Sequence, residues 1–434
     1  VKSIGYAVCL LLCAFITNAW AGFSAADEAL LEEITFSSFQ FFWQQSDSQS
    51  GLVPDSTKDK VCSVASLGFG LAALPIGAER KYVSYDDAKS RALNAMRTLK
   101  NSNAKHNGVF CHFIDLKTGN MTNQGYESIA SSIDTALMVA GVIVAGEYFG
   151  GEVKQLADEI VAQVNWASFV NPQNGQVYMA YDIGKSNTFE KPIWDWYTDE
   201  ALLISLLGQA SPNPEYRLKP ETMTNWKRPS GKYKNGQPYI YSYTDALFTY
   251  MFAHCFYDFK KTGKDPLGVN WFENTRRAVI ANRDWCRDHC SEYASYGENL
   301  WGITAGSDPI GYVVLGHEPR GASENQGQYG TLHPYGAGMS VPFLPEDSIA
   351  ALRYMRNLKI DNKPVWQDVK DEGYGFWDGF NCDRKWVSNC VIGIAQGPML
   401  LMIENARTGL IWRLMMQNKD VIAGLKRAGF KGNF

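Results

Sequence analysis

The chain has 434 residues, a formal net charge of −4 and basic residues scattered along its length, so it lacks the clustered basic footprint of a nucleic-acid binder. With 45% hydrophobic residues a chain this long can bury an ample core without covalent staples. No Pro/Gly/Ser linker divides it, and the Gly-rich stretch 302–338 and the polar stretch 171–191 read as long functional loops inside one unit.

At the start, Lys2 precedes an apolar run over 4–16 that ends in Ala19-Trp20-Ala21. That is the pattern of a secretory signal peptide over residues 1–21, leaving 22–434 as a single domain. The run is short for a bilayer, and no later stretch reaches the roughly 20 uninterrupted apolar residues that spanning needs. The expectation is an exported protein, periplasmic or secreted, with no membrane span in the mature form.

From there the dominant period is helical. Residues 27–45 place Leu30, Leu31, Ile34, Phe41 and Phe42 on one broad face. Further helices are predicted over 64–74, 84–101, 132–149, 152–164, 195–207, 245–261, 270–287, 345–357, 393–416 and 419–428. Several open on a cap such as Ser84 or on first-turn acids such as Asp199 and Glu200. The segments 132–149 and 393–416 are apolar almost all round, which requires burial on every side. Helices alternating between buried and amphipathic suit a double ring, so the predicted fold is all-α, an (α/α)6 toroid of helical hairpins with long loops forming a cleft at one rim. Strand signals are few; 311–316 is the clearest, and 239–243 is ambiguous.

Seven cysteines remain after the leader, and an odd number cannot all pair; Cys382 and Cys390 are spaced to staple one loop. Cys286 and Cys290 sit one helical turn apart with no second cluster at zinc spacing, so no metal and no cofactor is expected.

Aromatic residues make up 13% of the chain, with 13 tryptophans, and many fall in polar or Gly-rich loops. A pyranose offers a C–H face to an aromatic plane and hydroxyls to Asp, Glu, Asn and Gln, so this mixture fits a sugar cleft. Carboxylates stand beside such rings in four stretches: Ser131-Ser132-Ile133-Asp134-Thr135, Trp194-Asp195-Trp196-Tyr197-Thr198-Asp199-Glu200, Tyr296-Gly297-Glu298-Asn299-Leu300-Trp301 and Gly375-Phe376-Trp377-Asp378-Gly379. Cleavage of a glycosidic bond needs one group to protonate the leaving oxygen and another to activate water.

Ser132-Ile133-Asp134-Thr135, Asp199-Glu200-Ala201 and Tyr296-Gly297-Glu298-Asn299, with Phe41-Phe42-Trp43, Ser50-Gly51-Leu52-Val53-Pro54-Asp55, Trp271-Phe272-Glu273-Asn274, Gln396-Gly397-Pro398 and Glu404-Asn405-Ala406-Arg407-Thr408-Gly409-Leu410, occur in an order that resembles the bacterial glucoamylase-like domain family, which includes glycoside hydrolase family 144. The resemblance covers nearly all of the chain after the leader. It implies an (α/α)6 toroid and inverting hydrolysis of β-1,2-linked glucan to short oligosaccharides such as sophorose. Two positions depart from the family pattern: Ala395 precedes Gln396 where the family has Asp, and Asp245 is unexpected.

On this reading Glu200 is the general acid, with Trp196 and Tyr197 as an apolar wall that raises its pKa. Asp378 is the leading base, and Asp134 is either the alternative base or a hydroxyl ligand. Trp196, Tyr197, Trp301 and Trp377 are the candidate stacking rings; Asp199, Glu298, Asn299 and Gln396 are the candidate hydroxyl ligands. Glu404 and Arg407, one turn apart on a buried helix, fit an internal ion pair. The expected partner is a β-glucan polysaccharide or oligosaccharide. A polysaccharide lyase or epimerase would instead need a Tyr or His base with Arg beside it, for which His254 and Arg276-Arg277 are available. A non-catalytic envelope glycan-binding protein would keep the rings without needing paired carboxylates.

Overall fold

Hydroxyl and amide caps decide where most helices begin. Ser24, Ser63, Ser84, Ser131, Thr198, Asn270 and Asn418 each accept an amide of the first turn, satisfying donors that a helix start leaves open. The computed structural model describes residues 22–122, 128–322 and 330–434; the signal-peptide expectation for residues 1–21 lies outside them. In chain order the helices are α1 (Ala25–Gln45), α2 (Val64–Glu79), α3 (Tyr85–Asn101), α4 (Ser132–Phe149), α5 (Gly151–Gln163), α6 (Asp199–Ala210), α7 (Trp271–Asp288), α8 (Pro334–Met339), α9 (Pro345–Asn357), α10 (Gly393–Arg407), α11 (Leu410–Met415) and α12 (Lys419–Arg427).

The protein is helix-rich, and two kinds of helix share the work. The apolar helices α2, α4, α6 and α10 are buried over most of their length; α2 packs on α4, α4 on α6, and α10 on both α2 and α8. The amphipathic α3, α5, α9 and α12 each bury one face against this row: α3 on α2, α5 on α4, α9 on α8 and α12 on α6. Among the described residues α4 is the one helix long and apolar enough to cross a membrane, and most of it is buried inside the protein. Where α2 meets α4 the backbones touch: a Cβ on Gly68 would lie 2.3 Å from the Leu137 carbonyl oxygen, and one on Gly141 would lie 1.9 Å from that of Gly68. Only glycine fits such an approach.

Two of the expected helices are different in the structure. Residues 245–261 form a 3₁₀ turn, Leu247–Tyr250, followed by irregular turns. Asp245 has φ +56°, and the amides of Ala253 and His254 donate to the buried Asp199 carboxylate instead of to carbonyls one turn back. Likewise 393–416 divides into α10 and α11 at Gly409, which adopts φ +67°. Short two- and three-residue strands connect the helices. The longest hairpin pairs Ala305–Asp308 with Gly311–Val314, and the ambiguous 239–243 supplies one strand residue pair, Tyr239–Ile240. Cys382 and Cys390 are free thiols.

The charged pair expected on α10 is present with different partners. Glu404 accepts from Arg80 at 2.6 Å, while Arg407 reaches Glu28 and Glu32 at 2.8 and 2.9 Å. Arg80 also binds Glu32 at 2.6 Å, so the two side chains join one network that ties α10 to α1 and α2 rather than pairing with each other.

Candidate active site

The first turns of α4 and α6 carry Asp134 and Glu200, and two loops bring Asp55 and Asp378 toward them. Asp55 lies between α1 and α2, where its carbonyl accepts from Gly393 at the start of α10 (2.8 Å) and its amide donates to Val61 (3.0 Å). Asp378 lies in the turn between strands Gly375–Phe376 and Phe380–Asn381, its amide donating to Cys390 (3.0 Å). The four carboxyl groups are linked electrostatically: Asp134 and Asp378 both act on Asp55, and Asp134 acts on Glu200. Among the described residues no set of His, Cys, Asp and Glu is gathered as metal ligands.

Glu200 is half-buried. Burial first, then the neighbouring carboxyls of Asp134 and Asp199, push its pKa up to about 8 against an ordinary 4.5. The positive end of α6 would act the other way, so desolvation and crowding of acids win. At neutral pH Glu200 therefore holds a proton it can give. Tyr197 is no part of its wall: it is wholly buried, stacked on Trp271 at 4.5 Å, and its hydroxyl donates to Asp199.

Asp378 is 2% exposed. Its Oδ2 accepts the Ser307 amide at 2.6 Å, and its Oδ1 has no hydrogen-bond partner. Burial raises its pKa, while the nearby His333 and the Ser307 amide pull the other way. Asp134 is half-buried, with His112 Nε2 3.4 Å from its Oδ1. Burial raises Asp55 to about 6, with His112 opposing and Asp59, Asp134 and Asp378 adding to the rise. No aromatic residue flanks Asp55, so the acid-beside-aromatic pattern does not single it out. The signal that it belongs here is the fixed run Leu52-Val53-Pro54-Asp55, which is buried up to Pro54 and half-exposed at the carboxylate.

Several expected sugar ligands are placed elsewhere. Asp199 is fully buried and occupied: it accepts Tyr197 Oη, the amides of Ala253 and His254, and contacts His254 Nδ1 at 2.7 Å. Gln396 is buried between the Ser38 hydroxyl (2.7 Å) and the Phe376 carbonyl (3.1 Å). Trp301 is 0% exposed and belongs to the core. Glu298 is 64% exposed and pairs with Arg287 at the end of α7 (2.8 Å), and Asn299 lies in a shallow groove with Arg353 and Tyr354 of α9. Both residues thus belong to the surroundings of α7 and α9. Trp377, beside Asp378, is part-exposed, as is Trp196. Trp196 meets Tyr243 edge-on at 5.6 Å with Lys227 over its ring at 5.4 Å, so these two rings remain available as platforms. The groups a lyase would use are not among these acids: His254 is in the core and Arg276 and Arg277 are held by Glu273 on α7.

A family described as "Putative glucoamylase" matches residues 193–419, more than half of the chain. The chain belongs to this family. The resemblance read from the motif order is thereby borne out, and the family's matched span contains Glu200 and Asp378 but neither Asp55 nor Asp134. Along 92% of its length the chain is 27% identical to an exo β-1,2-glucooligosaccharide sophorohydrolase (non-reducing end) of Parabacteroides distasonis, of which it spans 58%. Among solved structures of similar fold are a "putative glucoamylase" from Bacteroides uniformis (TM-score 0.83, 26% identity, 94% of this chain and 98% of that one) and an endo-β-1,2-glucanase from Chitinophaga pinensis in complex with sophorotriose and glucose (TM-score 0.80, 25% identity, 94% and 99%).

Proposed function

We propose that the chain is a glycoside hydrolase that cuts β-1,2-linked glucan by inverting acid/base chemistry, with Glu200 as the acid and Asp378 as the base. The observation that carries this is the contrast between two carboxyl groups: Glu200 keeps its proton to about pH 8, and Asp378 keeps a buried oxygen, Oδ1, with no partner of its own. Glu200 would give its proton to the glycosidic oxygen as that bond breaks. Asp378 would take a proton from the water that attacks the anomeric carbon from the opposite face, leaving a product of inverted configuration. The Ser307 amide fixes Asp378 Oδ2, so its Oδ1 is left to hold the water. Asp134 sits beside Glu200, supports its raised pKa and is positioned as a hydroxyl ligand or alternative base.

The names of the relatives support the substrate: a sophorohydrolase matches in sequence, and an endo-β-1,2-glucanase in fold, over more than nine-tenths of this chain. The proposal includes the (α/α)6 toroid, with α2, α4, α6, the irregular segment 245–257, α8 and α10 as its inner members. It also includes residues 22–434 as one catalytic unit and export by the leader to the periplasm or beyond. The test is a product profile on linear β-1,2-glucan, β-1,3-glucan, β-1,4-glucan and starch. Cleavage of the first alone is expected; cleavage of starch without β-1,2-glucan would overturn the substrate assignment.

A further inference from the structure

The hairpin Ala305–Asp308/Gly311–Val314 lies flat on the turn that carries Asp378. A Cβ on Gly306 would lie 2.2 Å from the His333 ring and 2.9 Å from Asp378 Oδ2, and one on Gly379 would lie 2.7 Å from the Ser307 carbonyl oxygen. Glycine at both positions permits this contact. Ser307 turns its amide to Asp378 (2.6 Å) and its carbonyl to His333 Nε2–H (3.1 Å). Its backbone groups therefore point away from the partner strand, which makes Ser307 and the facing Tyr312 a non-hydrogen-bonded pair whose side chains stand close on one face. Tyr312 is thus held in register with Asp378. It is 55% exposed, and its hydroxyl lies within electrostatic reach of Tyr335, Asp378, Asp55 and Glu200. Among the described residues its hydroxyl has no hydrogen-bond partner. Burial and the surrounding acids push its pKa well above the ordinary tyrosine value, so it remains a donor throughout the working pH range.

We infer that Tyr312 is a substrate-contacting residue that packs its ring on the sugar at the cleavage point and donates its hydroxyl to a hydroxyl of that sugar, holding it between Glu200 and Asp378. Ionised carboxylates accept from a sugar's hydroxyls but cannot donate to their oxygens. A tyrosine among them supplies the missing donor together with an apolar face. The inference rests on the hydrolase reading above. Its test compares wild type, Tyr312→Phe and Tyr312→Ala for kcat and KM on β-1,2-glucan, for thermal midpoint, and for binding of β-1,2-linked gluco-oligosaccharides by calorimetry. Tyr312→Phe should lower kcat about 10-fold with KM nearly unchanged, and Tyr312→Ala should also raise KM or weaken oligosaccharide binding by about 10-fold. Thermal midpoints should stay within about 2 °C, as expected for an exposed side chain. Phe and Ala variants within twofold of wild type in kcat, KM and binding would overturn the inference while leaving the hydrolase reading intact. A wild type that binds the oligosaccharides through Tyr312 without cutting would overturn the hydrolase reading alone; a wild type that neither cuts nor binds would overturn both.

Discussion

Replacing Glu200 by Gln separates proton supply from shape. The native protein holds the Glu200 proton to about pH 8, whereas an ordinary glutamate releases it near 4.5. Stability attributable to this group is therefore complete below about pH 4.5 and is lost progressively as pH rises to about 8, since the unfolded chain can ionise and the native one cannot. Gln is neutral at every pH and escapes this loss. At pH 7 the gap to 4.5, at about 1.4 kcal/mol per pH step, bounds the gain at about 3 kcal/mol. Water reaching the half-buried side chain lowers this, so Glu200→Gln should be about 1–3 kcal/mol more stable than wild type at pH 7 and equal to it near pH 4.5. Urea midpoints of both proteins across this range read the difference directly. Turnover should fall at least about 10²-fold, and wild-type kcat should decline above about pH 8 as Glu200 ionises. A stability difference that does not change with pH, or a variant with near-normal turnover, would refute the reasoning.

Asp378→Asn keeps an acceptor for the Ser307 amide but removes the base, so turnover measured by reducing ends should drop at least about 10²-fold with no loss of thermal midpoint; undiminished turnover would reassign the base to Asp134. Asp199→Ala strips the Tyr197 hydroxyl, two amides and His254 of their shared acceptor and should cost about 3 kcal/mol or more of stability in denaturant melts. A change in KM with stability unaltered would restore Asp199 to the role of sugar ligand.

Periodicity made the helices legible where one segment's own pattern decides its fate, as in α4, whose apolar surface all round demanded burial. It failed at 245–261, where the decisive partner, Asp199, lies on another helix and draws off the amides a helix would need. The acids of the site were readable where a helix start exposes them, at Asp134 and Glu200, because a first-turn position is defined by local sequence. Which way a loop aromatic faces is not: Tyr197 and Trp301 stand in the same kind of stretch as Trp196 and Trp377, yet pack wholly into the core. Asp55 and Tyr312 come from segments without the acid-beside-aromatic pattern, and only the convergence of distant loops sets Asp55 near Asp134 and Asp378 and Tyr312 near Asp378 and Glu200.

The most direct measurement is reducing-sugar release from linear β-1,2-glucan by the purified chain at neutral pH, alongside Glu200→Gln at the same concentration. The account predicts steady release of short oligosaccharides by wild type and a rate at least about 10²-fold lower for the variant. Tight binding of the glucan with release at background in both proteins would contradict it and leave a glycan-binding protein in its place.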